Sequence, residues 1–112
     1  MADLCRQAVL KLAYQDEIFT DLVVLTHLSP FEIDPILKSV RLTHRLLVVE
    51  EGTYTMGWGA EIIARSVENL GRELSAAARL AGTDVPIPAS GPLEKAVLPD
   101  VEDIIQAVKK MV

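Results

Sequence analysis

A strand-to-helix unit occupies residues 46–70, which read LLVVEEGTYTMGWGAEIIARSVENL. The apolar run at 46–49 predicts a buried strand that ends at Glu50, Glu51 and Gly52. Further glycines, Gly57 and Gly59, mark a loop before the next element. The apolar residues that then recur at helical spacing are Ala60, Ile63, Ala64, Val67, Leu70 and Leu74. This stretch therefore predicts a strand, a loop and a long helix.

The segments on either side predict further elements of both kinds. Residues 3–14 have apolar side chains on one face of a helix and polar ones on the other. The apolar run LVVL at 22–25 predicts a second buried strand, parallel to the first. Asp34 and Pro35 suit the start of a short helix. Asp100 suits the N-cap of a final helix with acidic residues in its first turn and lysines in its last.

Two segments are less regular. Residues 76–80 fit either a helical tail or an edge strand, and the proline-containing stretch 86–92 predicts irregular structure. Helices and strands alternate elsewhere with short connections, which predicts an α/β fold of three layers, α/β/α, with a mostly parallel sheet. With 112 residues the chain has room for one domain, residues 1–112.

Composition excludes several classes of partner. The chain has 11 basic and 16 acidic residues and a net charge of −5, which argues against nucleic acid and against an anionic membrane surface. No apolar run approaches the roughly 18 residues of a membrane helix, and no signal peptide is evident. The single cysteine, Cys5, lies among apolar residues and is expected to be buried and unreactive. We therefore expect a cytoplasmic protein, or one of the mitochondrial matrix if the source is eukaryotic.

The loop at 52–59 is the first candidate for chemistry, because a loop between a strand and a helix can hold a phosphate. The spacing G-x-G-x-x-G is absent, however, and Glu50, Glu51 and Glu61 surround the loop with no basic residue before Arg65. A small α/β protein that binds an anion or a nucleotide here is the alternative that stays open.

Other candidates for catalysis or metal binding are weak. Glu50 and Glu51 are adjacent on a strand and face opposite ways, so they do not form an acid/base pair. His27 and His44 lack the patterned Cys, His or acidic neighbours of a metal site. The residues alone therefore assign no catalytic, cofactor-binding or metal-binding side chain.

Three stretches taken together resemble the C-terminal domain of transketolase-like enzymes. They are LLVVEEG at 46–52, GWGAEI at 57–62, and a third with PIP at 86–88, PLE at 92–94, LP at 98–99 and EDI at 102–104. The similarity is greatest to the beta subunit of the decarboxylating component of pyruvate and branched-chain 2-oxo acid dehydrogenases. Transketolase and 1-deoxyxylulose-5-phosphate synthase carry similar domains and are the alternative within the superfamily.

The resemblance implies a part in an enzyme that uses thiamine diphosphate and magnesium. In the family these cofactors and the catalytic residues belong to other domains, so this chain is expected to bind no cofactor and to be inactive by itself. The resemblance implies an assembly role instead. Its partners would be other domains or subunits of the dehydrogenase, a second copy of the chain, and the peripheral subunit-binding domain of the acyltransferase.

The resemblance also suggests which residues make those contacts. Gly57, Trp58 and Gly59 match a small-residue loop of the family and are candidates for a structural role or for a subunit contact. Glu73 and the terminal carboxylate of Val112 are candidates for contact with the basic subunit-binding domain. The family's domain opens with one or two strands before the helix that begins here near residue 3. We therefore expect a gap in the sheet, or a re-paired sheet, with free strand edges that favour association.

Overall fold

The computed structural model describes residues 1–112 and contains five α-helices and two β-strands. In chain order the elements are α1 (Ala2–Asp16), α2 (Asp34–Thr43), β1 (Arg45–Thr53), α3 (Trp58–Leu70), a 3₁₀ turn (Gly71–Glu73), β2 (Ala76–Gly82), α4 (Gly91–Val97) and α5 (Val101–Met111). The α/β class is confirmed.

The sheet consists of β1 and β2, which run parallel. Arg45 is opposite Ala76 and Val49 is opposite Leu80, and the register becomes irregular between Val49 and Thr53. Parallel neighbours require a crossover connection, which α3 and the 3₁₀ turn supply. The ambiguous segment 76–80 is therefore a strand rather than a helical tail.

Successive side chains of a strand point to opposite faces of the sheet. Both faces of this sheet carry apolar side chains, and helices cover both of them. Leu46 and Val48 pack against the layer of α2 and α3, whereas Val49 and Leu80 pack against the layer of α1 and α5. The two buried clusters are Ile36, Leu37, Val40, Ile62 and Leu70 in the first layer, and Cys5, Ala8, Leu12, Ile104 and Ile105 in the second. The predicted three-layer arrangement is confirmed.

The prediction of a strand over residues 22–25 is wrong. Leu22 and Val23 are each 39% exposed, Val24 is 45% exposed, and none of them joins the sheet. An apolar cleft of about 980 Å³ is lined both by this segment and by β1. A strand forms only where its backbone can hydrogen-bond to a neighbouring strand. The cleft separates residues 22–25 from β1, so this segment has no such neighbour. The sheet has the gap that the resemblance led us to expect.

Three details of the helices differ from the prediction. Helix α2 begins at Asp34 as predicted, but Asp34 makes no capping hydrogen bond, because Ile33 occupies the N-cap position. The long helix α3 ends at Leu70, since Gly71 adopts a positive φ of 52°, a conformation that glycine tolerates and that breaks the helix. Within the stretch expected to be irregular, α4 begins at Gly91.

The final helix begins as predicted. The Asp100 carboxylate accepts a hydrogen bond from the Asp103 N–H at 2.8 Å, and the Asp103 carboxylate accepts one from the Asp100 N–H at 3.0 Å. This reciprocal capping box satisfies two backbone donors that the helix itself leaves free. The start of α5 is therefore fixed by local sequence.

Candidate functional site

Glu50 lies near the end of β1 and contacts the first turn of α3. Its Oε2 accepts a hydrogen bond from the Gly59 N–H at 3.0 Å, and its Oε1 is buried without a hydrogen-bond partner. The first N–H groups of a helix have no partner within the helix, and a negative charge there is favourable. The Glu50 side chain thus caps α3 from the neighbouring strand.

Gly57 and Gly59 allow the loop to lie directly on Glu50. A Cβ atom at Gly57 would lie 2.5 Å from both Glu50 Oε1 and the Thr53 carbonyl oxygen. A Cβ atom at Gly59 would lie 2.9 Å from Glu50 Oε1 and 3.0 Å from a methyl group of Val48. The loop therefore packs so closely against the Glu50 carboxylate that positions 57 and 59 have no room for a side chain.

The same geometry argues against an anion site at this helix. The Gly59 amide that an anion would use already donates to Glu50, whose charge would repel a phosphate. The residues present therefore do not fit a diphosphate at α3. No group of three or more His, Cys, Asp or Glu side chains could hold a metal ion such as magnesium.

Trp58 packs within the domain. Its ring meets that of Phe31 edge-on, with 4.7 Å between centroids, and the Arg65 guanidinium lies 4.4 Å from the Phe31 centroid. This cluster fixes the segment before α2 against α3. Trp58 is half-buried, so part of its surface remains available for the predicted subunit contact.

Glu73 and Val112 lie at the opposite end of the sheet from Gly57 and Gly59. The Glu73 carbonyl is hydrogen-bonded to His44 Nδ1 at 2.9 Å. The next residue, Arg45, starts β1 and donates through Nε to the Met111 carbonyl at 2.6 Å. These two bonds bring the 3₁₀ turn and the C-terminus to the amino ends of the strands.

We call this surface the amino edge and define it as Arg41, Leu42, Arg45, Glu73 and Val112. Leu42 is 80% exposed and Val112 is 64% exposed, and the Arg41 guanidinium pairs with Glu73 at 3.7 Å. Apolar side chains are thus accompanied by charges of both signs. Sequence reasoning missed Leu42, although its position off the buried stripe of α2 at Ile36, Leu37 and Val40 was a usable signal.

A further contact that sequence reasoning missed joins the loop before α3 to the segment after β2. Asp84 accepts hydrogen bonds from the Thr55 N–H at 2.8 Å and from the Thr55 hydroxyl. Arg79 donates to the Tyr54 carbonyl at 2.6 Å and lies 4.0 Å from the centroid of its ring. These contacts hold the loop at the carboxyl end of β1.

Hydrogen bonds from Thr55 hold the pKa of Asp84 below its usual value. The bond from the Thr55 hydroxyl has the larger effect, and the bond from the Thr55 N–H has the smaller one. An unfolded aspartate titrates near pH 3.9. The ionised Asp84 therefore stabilises the fold above that pH, and the stabilisation is lost as the pH falls through the lowered folded-state pKa.

Thr55→Val is expected to raise the pKa of Asp84 toward the ordinary value and to flatten the fall of Tm between about pH 5 and pH 2. Titration by NMR and melting curves measure the two effects. Thr83→Val is the matched control, since the Thr83 hydroxyl makes no hydrogen bond. Equal pH profiles for Thr55→Val and the unmodified chain would contradict the assignment.

Burial raises the pKa of the Cys5 thiol, with a smaller opposing effect from the N-terminal charge. The thiol lies in the cluster between α1 and α5 and is 9% exposed. The expectation of a buried, unactivated cysteine is confirmed. None of the helices is both long enough and apolar enough to cross a bilayer.

Comparison with known proteins identifies the family. The family described as "Transketolase, C-terminal domain" matches residues 1–104. "Pyruvate dehydrogenase E1 component subunit beta" of Porphyra purpurea is 43% identical over 104 residues, which are 92% of this chain and 31% of the relative. The subunits of the same name from Rickettsia bellii and, mitochondrial, from Pisum sativum are each 40% identical over 97 residues.

Those 97 residues are 86% of this chain but 30% of the Rickettsia bellii subunit and 27% of the Pisum sativum one. The chain thus spans about three tenths of the length of the curated relatives that it matches. Identity near 40% over most of the chain agrees with the family match and with the α/β/α architecture. This chain belongs to the transketolase C-terminal domain family and is similar to pyruvate dehydrogenase E1 beta subunits.

Proposed function

We propose that this chain is the assembly domain of a thiamine diphosphate-dependent 2-oxo acid dehydrogenase, within the beta subunit of its decarboxylating component. The similarity to E1 beta subunits and the family match over residues 1–104 support this proposal. Other parts of the enzyme hold the cofactor, magnesium and the catalytic residues. The compartment is that of the enzyme, either the bacterial cytoplasm or the mitochondrial matrix.

The amino edge is the docking surface in this proposal. The observation that supports it is a pair of hydrogen bonds, from His44 to the Glu73 carbonyl and from Arg45 to the Met111 carbonyl, which brings Glu73 and Val112 to the same end of the sheet. Interfaces combine apolar residues at the centre with a polar rim. Leu42 and Val112 supply the apolar part, and the charged side chains of the amino edge supply the rim.

Glu73 is able to change partners at this surface. Its ion pair with Arg41 spans 3.7 Å between side chains that are each more than half exposed. Exposed pairs of this kind contribute less than about 1 kcal/mol. A lysine or arginine of the subunit-binding domain can therefore replace Arg41 at little cost.

Calorimetric titration of the acyltransferase subunit-binding domain into the chain tests the proposal. Glu73→Lys is expected to weaken binding by about tenfold, since it replaces an attraction with a repulsion. Glu94→Lys makes the same charge change on α4, whose last residue Val97 accepts a hydrogen bond from the Thr83 N–H just after β2, and it should leave the affinity unchanged. No binding by the folded unmodified chain, or equal weakening by both variants, would contradict docking at the amino edge.

Gly57, Trp58 and Gly59 are proposed as a separate contact with neighbouring subunits or a second copy of the chain. They lie at the carboxyl end of β1, away from the amino edge. The exposed Met56, at 96%, extends this surface. Two surfaces at opposite ends of the sheet would allow the domain to contact a dehydrogenase subunit and the acyltransferase at the same time.

A further inference from the structure

Met56 is the most exposed of the large apolar side chains, at 96%. It lies in the turn between β1 and α3, and its backbone φ of 58° is in the left-handed region. Residues other than Gly, Asn and Asp seldom adopt this conformation, because their side chains crowd the backbone. The packing of this chain therefore gains nothing from an apolar side chain at position 56.

Hydrogen bonds from β2 and from the segment after it hold the turn that displays Met56. Arg79 donates to the Tyr54 carbonyl at 2.6 Å and covers the Tyr54 ring. Asp84 accepts hydrogen bonds from the Thr55 N–H at 2.8 Å and from the Thr55 hydroxyl. A group that is already fixed loses less conformational entropy when it binds a partner. Met56 is thus a rigidly placed apolar group that projects into solvent.

The charge around Met56 is negative. The residue before it is bonded to Asp84, and the residue after it lies directly on Glu50. Glu61 follows in the first turn of α3. Arg79 supplies one positive charge beside these three negative ones. The surface that complements an apolar group among carboxylates is an apolar pocket with lysine or arginine at its rim.

We propose that Met56 is the anchor of the contact proposed for residues 57–59, and that it inserts into an apolar pocket with a basic rim on another subunit of the dehydrogenase. This role of Met56 rests on the proposed function, which places a subunit contact at this end of the sheet. A second copy of the chain is a poorer partner, because two copies that met symmetrically through this end would bring like charges together.

The test measures binding of the chain to the other subunit of the decarboxylating component, purified from the same source and immobilised for biolayer interferometry. Met56→Asn is expected to weaken binding at least about tenfold, because asparagine tolerates the left-handed backbone but is polar. Met56→Leu keeps an apolar side chain of similar volume and should bind within about threefold of the unmodified chain. Leu42→Asn is the matched control. It removes an apolar side chain that is 80% exposed at the amino edge, and it should leave this affinity unchanged.

The basic rim has a test of its own, since attraction between exposed charges is screened by salt. A fivefold higher salt concentration is expected to weaken binding of the unmodified chain by at least about threefold. An affinity that does not change with salt would overturn the basic rim.

Equal affinities of Met56→Asn and the unmodified chain would overturn the anchor role and leave the proposed contact in place. No binding by the folded unmodified chain would overturn the contact and the anchor together. Light scattering on the chain alone detects a second copy as the partner, and a dimer that Met56→Asn abolishes would also overturn the proposal. If Met56→Asn does not fold, Met56→Gln must show the same loss, since glutamine is polar and has a similar length.

Discussion

Gly57→Ala is expected to destabilise the chain by about 1–3 kcal/mol, the usual effect of forcing extra atoms into a packed site. The new methyl carbon would lie 2.5 Å from the Thr53 carbonyl oxygen and 2.5 Å from Glu50 Oε1. The Glu50 side chain is able to move, but the Thr53 carbonyl belongs to the backbone of β1. Thermal melting should show a Tm lowered by roughly 4–8 °C for each kcal/mol.

Gly52→Ala is the matched control, because the nearest atom to its new carbon is Glu50 Oε2 at 3.7 Å, an ordinary contact. It should change stability by less than about 0.5 kcal/mol. The double variant Glu50→Ala, Gly57→Ala should remain destabilised, since the contact with Thr53 persists. Equal stability of Gly57→Ala and Gly52→Ala would show that the loop does not lie on Glu50 as described.

Leu12→Ala is expected to destabilise the chain by about 2–5 kcal/mol, the range measured when a buried leucine is truncated. Leu12 is fully buried between α1 and α5, in one of only two small clusters that hold the layers on the sheet. Small domains have total stabilities of about 5–15 kcal/mol, so this is a large fraction. Urea denaturation followed by circular dichroism measures the effect.

Leu10→Ala removes the same atoms from the same helix at a position that is 56% exposed. It should lower the stability by less than about 0.5 kcal/mol. Comparable losses for Leu10→Ala and Leu12→Ala would mean that the helix presents a different face to the sheet.

Elements whose formation depends on local sequence were predicted well. The apolar periodicity of α1 and the capping box of α5 involve residues within a few positions of one another. The strand β1 was also predicted, because its apolar run is bounded by polar residues on both sides. Residues 22–25 carry an equally strong strand pattern, but pairing depends on a neighbour, and the neighbouring position is an open cleft.

The site was harder to predict because its contacts join distant positions. Glu50 and Gly59 are nine positions apart, and only the turn between β1 and α3 makes the carboxylate the cap of the helix. Sequence reasoning recognised that the acidic surroundings disfavour a phosphate but did not assign Glu50 its structural role. Arg45 and Met111 are 66 positions apart, so the residues of the amino edge come together only in the folded chain and could not be grouped from the sequence.

Size-exclusion chromatography with light scattering, on the chain mixed with the subunit-binding domain of the acyltransferase, measures the proposed assembly role most directly. We expect a single peak that contains both proteins, with a mass above that of either one alone. Two separate peaks at the component masses, with the chain folded by circular dichroism, would show that this domain does not carry the docking surface.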